Sequence, residues 1–349
     1  MSTDPRCRSP TRAWRERLLP LASRGGLRVA GGACERQTSR VAARSVVVVF
    51  VVVLLGCGGD ARKEESPPQP EVTVVGVGGG ELVDVGGRRL YVECIGSGSP
   101  TVLLEAGLGL ASQSWTNVQL ELGQTTRTCA YDRAGLGDSD AMPGVHDAGD
   151  EIRDLERLLD RGRIKPPYVL VGHSYGGLLA RLFARAHPNQ VAGVVFVDAM
   201  GRDATRRQLA IWPRSQASAQ RREWAKPVQD GVDVHRGEAL ASSIRTLGDI
   251  PVVVITGART WTASNGDAPP RLLQALDRLW RRLHAELARL SSDHVHVVGL
   301  RSEHLVMDSD QQPWVVVRAA TAVVRAHRDD ARLPPCQRLF SGPDVRCVS

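Results

Sequence analysis

From about residue 82 to residue 327, short apolar runs alternate with longer segments of helical periodicity. "RRLYVECIG" and "PTVLLEAG" read as strands around a Gly-Ser-Gly-Ser-Pro turn, "WTNVQLEL" as a helix and "TRTCAYDR" as a further strand. "DAGDEIRDLERLLDRG" spaces Leu155, Leu158 and Leu159 along one helical face. Tyr168-Val169-Leu170-Val171 is the composition of a strand buried on both faces, and residues 178–186 resume helical spacing. Then come strand "VAGVVFVD", strand "IPVVVITG", helix "PPRLLQALDRLWRRLHAELARL", strand "HVHVVGL" and helix "QPWVVVRAATAVVRAH". That order predicts an α/β domain over 81–330, a mostly parallel, doubly wound sheet covered on both faces. Residues 200 to about 249 interrupt the rhythm between two core strands. Rich in Arg, Gln and Ala, with Trp212 and Trp224, they predict a small helical lid over the carboxyl ends of the strands.

Composition changes the picture only at the ends. The formal charge of +7 resides in residues 1–56, with ten arginines and three acids, while the remainder holds 35 basic and 35 acidic residues. No long basic run with interleaved aromatics occurs in that remainder, so nothing points to a nucleic-acid partner. "SVVVVFVVVLLG", residues 45–56, is too short to span a bilayer and suits the apolar region of a signal peptide. It ends in Leu54-Leu55-Gly56-Cys57, a bacterial lipobox pattern that makes Cys57 the lipidated residue and the membrane surface a partner. The expectation is a leader over 1–56 and an exported lipoprotein on the outer face of a bacterial membrane. Residues 57–80 follow as a flexible tether rich in Pro, Gly and charge. Beyond Cys57 there are four cysteines, an even number suited to an oxidising compartment. Cys336 and Cys347 can close a loop within a C-terminal tail, 331–349. No Cys/His cluster suggests a metal site.

Between the strand at 168–171 and its helix there is almost no loop. Gly172-His173-Ser174-Tyr175-Gly176 fits the G-x-S-x-G elbow, which holds a serine hydroxyl at the top of a sheet and at the positive end of a helix. A serine hydroxyl needs a base to take its proton, and the base needs an acid to orient it. His304, in a short loop after a strand and about 130 residues beyond Ser174, is the candidate base. His294 and His296 alternate within the preceding strand, and His187 precedes Pro188 at a helix end.

"EAGLG", "YDRAGLGDS", "GHSYGG", "FVDAM" and the late "SEH" together resemble the α/β-hydrolase fold superfamily, most closely its lid-bearing, esterase-like serine hydrolases. The resemblance implies an oxyanion hole made by the N–H groups of Tyr175 and Leu108, with Ala106-Gly107 where many relatives have His-Gly. It places the strands of Cys94 and Cys129 side by side and so implies a disulfide between them. For the acid it offers Asp198, at the end of "VVFVD", and as alternative Asp267, because Ala258-Arg259-Thr260-Trp261 stands where relatives usually carry an aspartate. Asp132 is expected in an internal ion pair. The implied chemistry is cleavage of a carboxylic ester by acyl transfer on a small-molecule substrate, with no cofactor. Amide, thioester and peptide substrates are alternatives, as is a non-catalytic ligand-binding protein. A serine where dehalogenases and epoxide hydrolases of this fold carry a carboxylate argues against their chemistry.

Overall fold

The computed structural model describes residues 79–224, 231–264 and 268–348. The leader, Cys57, most of the tether and Asp267 lie outside the described residues. Strands β1 (Glu81–Asp84), β2 (Arg89–Ile95), β3 (Thr101–Glu105), β4 (Thr128–Tyr131), β5 (Tyr168–His173), β6 (Val191–Val197), β7 (Val252–Gly257), β8 (His294–Gly299) and β9 (Val345–Val348) form one sheet. Their order is β1-β2-β4-β3-β5-β6-β7-β8-β9. From β4 through β3 to β8 the neighbours run parallel, while β1–β2, β2–β4 and β8–β9 are antiparallel. The first and last strands have no counterpart in the sequence reading. Residues 336–348, read as tail, supply helix α10 (Cys336–Leu339) and β9, which pairs with β8.

The apolar strands sort their residues by parity. In β3 and β7, Leu103, Val252 and Val254 face one core, whereas Val102, Leu104, Val253 and Ile255 face the other. A strand whose neighbours above and below are both helices must be apolar at every position, which is why these runs show no polar alternation. The first core is closed by α2 (Ala148–Arg161) and α3 (Tyr175–Ala186) through Leu155, Leu158, Leu178 and Phe183. The second is closed by α1 (Thr116–Gly123) and α9 (Pro313–Arg328) through Val118, Leu122, Val316 and Val323. Helix α2 starts where it does because Asp147 accepts the N–H groups of Gly149 and Asp150, and Asp150 accepts that of Asp147 in return.

Between β6 and β7 the chain forms α4 (Ala204–Leu209), α5 (Arg214–Trp224) and α6 (Val234–Ser242); α7 (Thr260–Ser264) and α8 (Pro270–Ala288) follow β7. Cys94 and Cys129 are direct cross-strand partners on β2 and β4 and are joined by a disulfide, as the resemblance implied. A second disulfide joins Cys336 to Cys347. Among the described residues no helix is long and apolar enough to cross a membrane.

Candidate active site

Strand β5 ends at His173 and α3 begins at Tyr175, so Ser174 alone makes the turn. Its φ of 52° and ψ of −117° lie outside the ordinary regions for an L-residue. Such strain persists only where the surroundings hold it. Here the Ser174 N–H donates to Val197 O at 3.1 Å, and its carbonyl accepts from Met200 N–H at 2.9 Å. The turn closes because Gly172 and Gly176 carry no side chain. A Cβ on Gly172 would stand 2.6 Å from Gly176 O, and one on Gly176 2.3 Å from Glu105 O.

The Ser174 hydroxyl lies 3.0 Å from His304 Nε2, and His304 Nδ1 lies 2.7 Å from Asp198 Oδ2. The serine, the histidine after β8 and the aspartate after β6 are thus brought together. Asp198 also has a positive φ, 43°, and is fully buried. Its Oδ1 accepts Gly257 N–H at 2.8 Å and its Oδ2 accepts the Thr260 hydroxyl at 2.7 Å. Burial pushes its carboxyl up, but the hydrogen bond from His304, the neighbouring His284 and His304 rings and the Gly257 N–H outweigh this and hold it below the usual range.

Behind Asp198 sits a histidine that sequence reasoning missed. His284, on α8, places Nδ1 3.8 Å from Asp198 Oδ1. Its Nε2 is 2.9 Å from Ala199 O, so that nitrogen carries the proton. Its Nδ1 then accepts the Thr256 hydroxyl at 2.7 Å, and Thr256 in turn accepts from His296 Nε2 at 2.8 Å. Burial pushes both imidazoles down, His296 to about 3, so both are neutral near pH 7. His173 stands in the elbow beside the serine. It donates from Nε2 to the carbonyl oxygen of His304 at 2.9 Å, with ring centroids 4.7 Å apart. Burial and the neighbouring His304 push it down to about 3, so it acts as a neutral donor.

The N–H groups of Leu108 and Tyr175 donate to nothing among the described residues. Beneath them lies a buried ionic cluster. Arg133, after β4, has Nη1 at 3.1 Å from Glu105 and Nε at 3.1 Å from Glu151 of α2. Glu105 also accepts the Tyr131 hydroxyl at 2.5 Å, and Glu151 that of Tyr175 at 2.6 Å. Burial pushes Glu105 up to about 7 against the pull of Arg133. The expected ion pair of Asp132 is corrected here, since its carboxylate accepts the N–H groups of Ser112 at 2.7 Å and Asp138 at 2.9 Å. The internal cation–anion contacts belong to the next residue, Arg133. In a turn, adjacent side chains face different ways, and the sequence alone does not say which faces in.

Among the described residues no group of three or more His, Cys, Asp or Glu side chains is arranged to hold a metal ion. His294 is exposed and bonds to Ser291 O, and His187 caps α3 and meets Glu156.

The model of the alpha/beta hydrolase family matches residues 101–328. Uncharacterized protein YqjL of Bacillus subtilis is 27% identical over 213 residues, 60% of this chain and 78% of that protein. A protein of Hormonema carpetanum named Probable transporter efuK is 41% identical over 125 residues. That stretch is 34% of this chain but spans only 18% of the relative. Mouse alpha/beta hydrolase domain-containing protein 10 superposes with a TM-score of 0.52 at 15% identity, over 72% of this chain and 97% of that one. At such identity the likeness is one of fold.

Proposed function

Since the chain belongs to the alpha/beta hydrolase family, we propose that it cleaves carboxylic esters of small molecules by acyl transfer through Ser174, His304 and Asp198. His304 Nε2 takes the Ser174 proton as Oγ attacks the ester carbonyl, and Asp198 holds Nδ1–H and stabilises the imidazolium. The carbonyl oxygen becomes an oxyanion between the N–H groups of Leu108 and Tyr175. Collapse expels the alkoxide, which takes the proton back from His304. Water, deprotonated by the same imidazole, then releases the acid and frees Ser174.

The observation that carries the reading is the pair of contacts at 3.0 and 2.7 Å linking a strained serine to a buried, ionised aspartate. The test is labelling by a fluorophosphonate probe and turnover of p-nitrophenyl butyrate, both expected in the wild type and absent in Ser174→Ala. A folded wild type that neither labels nor turns over ends the proposal.

The three helices between β6 and β7 follow directly on Asp198, which supports reading residues 200–249 as a lid. Trp212→Ala should then change the preference between acetyl and octanoyl esters, and an equal effect on both would remove the lid. Export with lipidation at Cys57 is proposed with it, supported by two disulfides that suit an oxidising compartment. Incorporation of labelled palmitate that persists in Cys57→Ala would end that part.

A further inference from the structure

Three ionisable side chains lie buried together: Glu105, Arg133 and Glu151, at 5%, 3% and 3% exposure. A buried ion cluster of this kind is a poor way to stabilise a fold, since apolar residues of equal volume do as well or better. Its geometry indicates another role. Besides the two carboxylates, Arg133 donates from Nη1 to Ala106 O at 2.6 Å and from Nη2 to Gly107 O at 2.7 Å. These are consecutive carbonyls of the loop that carries Leu108.

The Gly107–Leu108 peptide is trans, so its N–H points away from its carbonyl. A guanidinium that grips Gly107 O from the buried side therefore aims Leu108 N–H to the opposite side. A positive charge on the carbonyl also polarises that peptide and makes its N–H a stronger donor. The same cluster reaches the second donor. Glu151, whose carboxylate lies 3.1 Å from Arg133 Nε, accepts the hydroxyl of Tyr175, whose ring also lies 5.5 Å from the guanidinium carbon.

We propose that Arg133, held in place by Glu105 and Glu151, is the positioning residue that sets the spacing of the Leu108 and Tyr175 N–H groups and strengthens the first. The proposal rests on the acyl-transfer reading of Ser174. It requires arginine. Three nitrogens of one planar group meet two carboxylates and two carbonyls at once, which the point charge of a lysine cannot do.

The test compares wild type with Arg133→Lys in the full chain, below the melting temperature of both. With p-nitrophenyl butyrate, kcat should fall roughly 10²–10³-fold, the scale of losing an oxyanion donor, with KM within about twofold. Affinity for a trifluoromethyl ketone, which forms a tetrahedral adduct, should fall in parallel with kcat/KM. The pH profile of kcat/KM should not move, because His304 and Asp198 are untouched. Unchanged kcat with a lowered Tm would reduce the cluster to a structural one and overturn the proposal.

If Arg133→Lys does not fold, Tyr175→Phe leaves all three ions in place and cuts only the link to Glu151. It should lower kcat and ketone affinity together by about tenfold, and no change in either overturns the proposal. Ser174→Ala separates the two readings. If that variant keeps wild-type turnover, acyl transfer itself fails; if it is dead while Arg133→Lys is fully active, only the positioning role is lost.

Discussion

Two buried polar clusters flank Ser174, and they are built from opposite materials. On the Asp198 side one carboxylate accepts from a backbone amide, a threonine hydroxyl and a histidine, with His284 behind. On the Arg133 side one guanidinium lies between two buried carboxyl groups. Burial opposes the charge of Asp198, but its hydrogen bonds and the two neighbouring imidazoles hold its carboxyl below the usual range, so the charge remains to stabilise an imidazolium. Ionic partners do the reverse. The guanidinium offsets the carboxyl groups on either side of it and fixes the backbone carbonyls that it grips. One side suits a group whose proton bond must respond during a reaction, and the other suits a frame that must not move.

The largest expected effect breaks the first side. Asp198→Asn should lose roughly 10⁴ in kcat while keeping its fold, because the imidazole loses its orienting partner. Asp267→Asn, in the polar stretch "TASNGDAPP", should stay within about tenfold of wild type. Steady-state rates with circular dichroism on both variants check this, and the reverse ranking would move the acid to Asp267.

Arg133→Met breaks the second side through stability. Two buried carboxylates are left without their cation, which costs about 3–5 kcal/mol. Tm should fall by roughly ten degrees, read by calorimetry. A melting point within two degrees or so of wild type would mean that the carboxylates find other partners.

The smallest effect is also the one that separates the sides by sign. His173 and His296 are pushed down to about 3 in the fold, below the ordinary 6.5. The unfolded chain binds their protons first, so their contribution is lost as pH falls from about 6.5 towards 3. Glu105 is pushed up to about 7, above its ordinary 4.5, among Arg133, Glu151 and Tyr131. Its contribution is present below 4.5 and is lost as pH rises through 7. Urea midpoints at pH 5 and 8 should show this. His296→Gln should flatten the acid side and Glu105→Gln the neutral side, each by about 1–2 kcal/mol. Variants that shift stability equally at both pH values would remove the contrast.

What the sequence made legible follows from how local each signal is. Ser174 is announced by five contiguous residues and His304 by a short loop after a strand, whereas for the acid the resemblance left Asp198 and Asp267 both open, because only packing says which carboxylate meets the imidazole. His284 and Thr256 are not announced, because their contact depends on how α8 settles against β7, across 28 residues of chain. His173 is visible in the elbow, but nothing in the sequence names its partner. Its partner is a backbone carbonyl, which no residue type reports. The strand β9 is four residues long, too short for alternation to show.

That last strand also bears on handling the protein. β9 covers β8 along Gly299 to His296, and the Cys336–Cys347 bond ties it there through α10. Reduction would free the strand to leave, baring a rim of unpaired N–H and C=O groups along "HVHVVG". An uncovered apolar rim of that kind recruits a strand from another molecule. Reducing agent in a purification buffer should therefore show up as light scattering before it shows up as lost activity.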